Sequence, residues 1–182
     1  MKLSKEKSAE NRARILAEAG RLFRERGVSG TGVDALAEAA GLTHGSLYSQ
    51  FGSKEQLAIE ALTEVFAQGS AKHAEKGLEA FLDHYLSPRH RDAIGSGCGV
   101  AALCSEMPRQ APALRARFTE GVRSLAARIG AKLAAHRGVA TEEEALAALS
   151  SVVGALVLAR AVNDGALSER ILAAARARLL EG

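Results

Sequence analysis

From end to end of the chain, apolar residues recur at helical spacing. Ile15, Leu16, Ala19, Leu22 and Phe23 form a stripe of period 3.6, which predicts a first helix over about 8–26 that Gly27 ends. Val33, Leu36, Ala37 and Ala40 then share one face of a short helix, with Thr31 expected as its cap and Asp34 at its third position. Gly41 accepts a left-handed backbone, and Leu42 folding back onto Leu36 or Ala37 would close a Schellman turn. Thr43 caps a second short helix. There Leu47 and Phe51, four apart, dock on the first and leave Thr43, His44, Ser46, Tyr48, Ser49 and Gln50 mostly outward. Ser53-Lys54-Glu55-Gln56 reads as a capping box opening a long helix through Leu57, Ile59, Leu62, Val65 and Phe66 toward Lys76.

Gly77 interrupts that pattern, and Leu78, Phe81, Leu82 and Tyr85 mark a helix ending before Pro88. The stretch SPRHRDAIGSG is the most loop-like of the chain. It leads into CGVAALCSEM, a short apolar helix stopped by Pro108. Pro112 opens the next helix at its first turn, where a missing N–H costs nothing, and Phe118, Val122, Leu125, Ile129 and Leu133 run along one face. Thr141-Glu142-Glu143-Glu144 is a capping box for a helix that is apolar nearly all round as far as Val162, and such a helix must be buried. A membrane span needs about 20 apolar residues, and Ser150, Ser151 and Arg160 interrupt this one, so no membrane role is expected. Ser168 is expected to cap a last helix, with Ile171, Leu172, Ala175 and Leu179 opposite Arg170, Arg176 and Arg178. The expected fold is all-α, with about nine helices.

Composition narrows this picture. The 182 residues suffice for one large or two modest domains, and 4% aromatic residues without tryptophan require a core of Ala, Leu and Val. The net charge of +3 is unevenly placed: residues 1–54 hold nine Lys/Arg against six Asp/Glu, whereas residues 55–182 hold fifteen of each. A polyanion would therefore touch the N-terminal third, where Lys2, Lys5 and Lys7 form a basic arm expected to be disordered. The N-terminus carries no apolar signal segment, which leads us to expect a cytoplasmic protein.

Cys98 and Cys104 make neither a disulfide framework nor zinc-ligand spacing, and six apart on one helix they face apart. Arg89, His90 and Arg91 could favour a Cys98 thiolate, against the plainer reading of a small buried cysteine that fills space. His73, His84, His90 and His136 lack metal-ligand spacing and read as helix-surface or cavity-lining residues, so neither metal nor cofactor is expected.

The two short helices cannot bury enough area alone, so the first helix serves as their third wall. Together they read as a helix-turn-helix over about 31–50. Lys54, a cation at a helix N-terminus, opposes the macrodipole unless an anion sits there, and a DNA phosphate satisfies both. Lys54 and Tyr48 are placed for phosphates, while Thr43, His44 and Ser46 are better placed for base edges. The Thr31 hydroxyl or the amides beside it could hold a further phosphate. The candidate DNA contacts are Thr31, Gly32, Thr43, His44, Gly45, Ser46, Tyr48, Ser49 and Lys54.

The stretch GLTHGSLYSQFGSKEQL closely resembles the TetR family of bacterial transcriptional regulators, whose pattern A-G-[VL]-x-x-G-x-[LIF]-Y-x-[HY]-F-x-[SN]-K-x-x-L is met by Ala40, Gly41, Leu42, Gly45, Leu47, Tyr48, Phe51, Ser53, Lys54 and Leu57. Gln50 departs from it. The resemblance implies a DNA-binding domain over 1–54 and an effector-binding and dimerisation domain over 55–182. It further implies a homodimeric repressor that binds a pseudo-palindromic double-stranded operator and is released by a small molecule. Its interface would come from the last two helices, through Leu149, Val152, Val153, Leu156, Val157, Ile171, Leu172 and Ala175. Two other readings stand beside it. One is a small all-α thiol enzyme using Cys98, although no glycine loop or nucleophile–base spacing supports catalysis; Cys98 and Cys104 also stand together as candidates for an effector or thiol site. The other is an architectural DNA binder without an effector.

Overall fold

The computed structural model describes residues 2–71 and 77–181, with side chains from Ser8 onward except that of residue 71. Among these residues there are ten α-helices and no strand: α1 (Lys2–Arg26), α2 (Val33–Ala40), α3 (His44–Phe51), α4 (Lys54–Ala71), α5 (Leu78–Tyr85), α6 (Pro88–Asp92), α7 (Gly99–Leu103), α8 (Pro112–Arg137), α9 (Glu142–Ala161) and α10 (Gly165–Glu181). Single 3-10 turns at Ile94–Ser96 and Met107–Arg109 flank α7.

Two apolar clusters carry the packing. The first joins the α1 stripe to α2, α3 and the start of α4, and also takes in Leu103, Met107 and Leu114 from beyond residue 100. The second gathers α5, α7, α8, α9 and α10. Phe66 of α4 packs against both, so α4 is common to the two cores. Further ties hold the 103–114 segment to the turn after α1: the Val28 amide donates to Glu106 Oε1 at 2.6 Å, and Gln110 Nε2 donates to Ser29 Oγ at 2.7 Å.

Several local expectations hold because the cap chemistry is local. Gly41 is left-handed at φ 65°, and the Leu42 amide donates to Ala37 O at 2.9 Å, which completes the Schellman closure. Thr43 Oγ1 accepts the Ser46 amide at 3.3 Å, and both hydrogen bonds of the Thr141–Glu144 capping box are present. Others fail for identifiable reasons. Gly32, not Thr31, is the N-cap of α2, because Thr31 is buried and its hydroxyl donates to Gly27 O at 2.6 Å. Only half of the second capping box forms, since Gln56 Nε2 donates to Glu60 Oε1 at 3.0 Å instead of reaching back.

The supposed loop holds α6, whose start is set by Ser87 accepting the His90 amide and by Pro88 at the first position. Ser168 lies inside α10 and donates to Ala159 O at 2.6 Å, while Asp164 holds that helix's entry by accepting the Leu167 amide. α1 begins at Lys2, so the backbone of the expected disordered arm is helical; the side chains of Lys2, Lys5 and Lys7 lie outside the described residues, as does the continuation of α4 to Lys76.

α9 is the one described helix long and apolar enough to cross a membrane. Its apolar surface has two destinations. Val152 and Leu156 are fully buried against α8 and α10, whereas Leu146 and Leu158 stay 44% and 56% exposed.

Candidate DNA-binding face and effector cavity

The DNA-reading helix is seated from below. Leu47 and Phe51 sink into the first cluster, which turns Thr43, His44, Gly45, Tyr48 and Ser49 to solvent and leaves Ser46 half-exposed. The hydroxyls of Thr43 and Ser46 lie 2.9 Å apart, and Ser49 Oγ donates to Ser46 O at 2.9 Å, so the small polar groups hold one another in a fixed arrangement. Tyr48 packs edge-on against His44 with ring centroids 5.2 Å apart, and His44 Nε2 stands 3.6 Å from the Asp34 carboxylate of α2. Lys54 opens α4 half-exposed and makes no ion pair with a carboxylate among the described residues.

The orientation of α3 depends on Arg12. Its Nη1 donates to Gln50 O at 3.1 Å, its guanidinium lies 4.3 Å over the Phe51 ring, and its Nη2 pairs with Glu60 of α4. One side chain of α1 thus fixes the end of the reading helix against α4. Sequence reasoning missed it, although Arg12 stands three and four residues before Ile15 and Leu16, on the buried side of α1.

A cavity of about 520 Å³ opens where α1, α4, α5, α7 and α8 meet. Val65, Phe66, Phe81 and Leu125 supply apolar wall, and Arg24, Tyr85, Cys98 and Arg128 supply polar groups. Burial lowers the pKa of Arg24 and Arg128 from the ordinary guanidinium value and raises that of Tyr85 well above the ordinary phenol, with the neighbouring Cys98 a lesser influence on all three. Two glycines let the walls pack closely beside the cavity. A Cβ at Gly121 would stand 2.4 Å from the Phe66 ring, and one at Gly99 would stand 2.9 Å from Val65.

Cys98 lines this cavity at the N-cap of α7, whereas Cys104 caps the other end, about 9 Å further along the helix axis. Both thiols are free. The expected His90 cation beside Cys98 is absent, because His90 Nε2 accepts the Cys98 amide at 3.0 Å while Nδ1 faces Tyr85 O at 2.7 Å, a pairing that requires the neutral ring protonated on Nδ1. Arg91 turns away to Asp92 and Ser168. His84 also lines the cavity, His136 is exposed, and His73 lies outside the described residues.

The family model described as "Bacterial regulatory proteins, tetR family" matches residues 15–61, the span holding the seated helix, α2 and the parts of α1 and α4 that wall it. Over 158 residues, 81% of this chain and 82% of the other, the sequence is 31% identical to the HTH-type transcriptional regulator LmrA of Bacillus subtilis. The chain belongs to the TetR family. It is also 30% identical, over 63% of this chain and 60% of the other, to the HTH-type transcriptional repressor AcnR of Corynebacterium efficiens. A TetR-family regulator from Cytophaga hutchinsonii has the same fold, with a TM-score of 0.78, 25% identity, and coverage of 97% of this chain and 96% of that one. This TetR-family chain is accordingly a transcriptional regulator with a helix-turn-helix DNA-binding domain.

In this TetR-family member the residues expected at a dimer interface are partly covered by the chain itself. Leu149, Val152, Leu156 and Leu172 are buried in the chain's own second cluster, and Val153, Val157, Ile171 and Ala175 pack half-buried against it. The exposed face of α9 is instead formed by Leu146, Ala147, Ser150, Ser151, Leu158 and Ala161. Four of the eight residues were misplaced because a helix apolar all round does not reveal which side its own chain covers. Thr31 is likewise withdrawn as a hydroxyl contact to DNA, since its oxygen is turned inward.

Proposed function

We propose that this chain is a homodimeric, ligand-responsive repressor, with residues 1–54 as its DNA-binding unit and 55–182 as its effector-binding and dimerisation unit. The carrying observation is that one cavity is walled by both helices that support the reading head. Arg24 of α1 and Val65, Phe66 and Gly69 of α4 face it. A ligand that spreads α4 from α8 would therefore move the wall on which α3 is seated. A coupling of about 1–3 kcal/mol corresponds to a change of about 5–150-fold in operator affinity.

Dimerisation is supported by the uncharged face of α9. Leu146 and Leu158 of α9 are 44% and 56% exposed, Leu167 at the start of α10 is 40% exposed, and no charged residue interrupts 145–159. Packing α9 and α10 against their copies would cover that face and present two α3 helices to successive major grooves about 34–36 Å apart. Thr43, His44, Gly45, Ser46 and Ser49 would meet base edges or backbone, Tyr48 and Lys54 would position through phosphates, and the Gly32 amide would add a further phosphate donor.

The test is binding to the DNA upstream of the protein's own gene at several salt concentrations. Lys54→Ala should weaken binding and soften the log–log salt slope by about 0.9. Unchanged affinity and slope would remove Lys54 from the interface and with it this docking.

A further inference from the structure

The chemistry of the cavity names a ligand class, and this rests on the ligand-responsive reading above. We propose that the cavity takes a flat, apolar organic carboxylate, with its ring system against Phe66 and Phe81 and its carboxylate held by Arg24 and Arg128 and hydrogen-bonded by the Tyr85 hydroxyl.

Sign comes first. Among the described residues no Asp or Glu lines the cavity, and neither Arg24 nor Arg128 makes an ion pair with a carboxylate. Each instead spends part of its donor set on a backbone carbonyl, Arg24 Nε on Gly95 O at 2.7 Å and Arg128 Nη1 on Gly69 O at 2.6 Å. Two partly desolvated guanidiniums without a counter-ion are costly, and an anion entering the cavity offsets that cost. A cationic ligand would add to it.

The donor inventory comes second. Arg128 Nε is buried with no hydrogen-bond partner, and the equally buried Tyr85 hydroxyl has only the weak Cys98 thiol beside it. Buried donors of this kind are normally satisfied, and a carboxylate is an acceptor-only group with enough lone pairs to serve both and a guanidinium edge besides. Shape comes third. The remaining wall sets aromatic and aliphatic side chains beside the polar side chains of Gln68, Ser96 and Ser124 and the rings of His84 and His90, and a volume of about 520 Å³ falls within the usual range of about 300–1,000 Å³ for small-molecule sites.

The experiment uses the full chain and four probes of one shape: 2-naphthoate, 2-naphthamide, 2-naphthalenemethanol and 2-naphthylmethylammonium. Calorimetric titration should rank naphthoate above the amide and alcohol by about 10- to 100-fold, with the ammonium weakest. Arg128→Gln should erase the preference for the acid while leaving amide affinity within about threefold, and Arg128→Lys should restore much of it. Equal affinities across the four probes, an ammonium preference, no binding by any probe, or an undiminished acid preference in Arg128→Gln would each overturn the proposal. Operator release by naphthoate, followed by fluorescence anisotropy, is scored separately. Naphthoate that binds through Arg128 without releasing DNA leaves the ligand class standing and refutes the ligand-released repressor.

Discussion

Replacing Gly121 by alanine tests whether α8 and α4 are in rigid contact beside the cavity. The added Cβ would fall 2.4, 2.5 and 2.6 Å from three atoms of the Phe66 ring. Ordinary carbon contacts lie at about 3.5–4.0 Å, so the ring must retreat by about 1 Å. Two effects then oppose one another. Alanine in a helix interior gains about 0.8–1.0 kcal/mol over glycine, whereas forced repacking typically costs about 1–3 kcal/mol.

The net change is therefore a loss of about 0–2 kcal/mol, and its size alone decides little. The decisive quantity is the coupling. Phe66→Leu shortens the ring that Gly121 accommodates, so the double variant Gly121→Ala/Phe66→Leu should be more stable than the sum of the single changes predicts, by about 0.5–3 kcal/mol. Urea unfolding of all four proteins at one protomer concentration measures it, since a dimer's stability depends on concentration. Additivity within about 0.3–0.5 kcal/mol would mean that the ring moves freely and that α4 is not clamped at this point.

Further predictions concern the head and the proposed dimer. Thr31→Val removes a buried hydroxyl that donates to Gly27 O, and should cost about 1–2 kcal/mol in thermal or urea unfolding while the salt slope of operator binding stays unchanged. Gly41→Ala meets no neighbouring atom within 4 Å, so its cost is the left-handed backbone alone, about 1–2 kcal/mol in the same unfolding assay. Leu158→Glu puts a charge on the exposed face of α9 and should shift sedimentation from dimer to monomer with the helical circular dichroism retained; a dimer of unchanged strength would place the interface elsewhere.

The helices and most of their ends were legible because the signals are local. A glycine at C′ or a threonine three residues before its amide partner acts within one turn, as Gly41 and Thr141 do. Ser168 shows the limit of such reasoning. A serine at the start of an apolar run looks like a cap, yet its oxygen is committed to Ala159 of the preceding helix, a contact nine residues away in sequence. The reading face of α3 was legible for the same reason that its caps were: Leu47 and Phe51 at spacing four determine which side is free. The cavity was not legible, because its walls converge from residues as far apart as Arg24 and Arg128. What the sequence offered instead were glycines inside otherwise helical segments, Gly99 and Gly121, whose missing side chains admit Val65 and the Phe66 ring to the cavity wall.

The first apolar cluster draws on Leu103, Met107 and Leu114, and its entry turn is pinned by Glu106 through the Val28 amide. For anyone wishing to retarget such a regulator, this is a practical constraint. A reading head cut at residue 54 and transplanted onto another sensor would leave its underside exposed and its hinge amide without an acceptor. A working chimera would have to carry the 103–114 segment along with the head, or recreate its three apolar side chains and one carboxylate on the recipient.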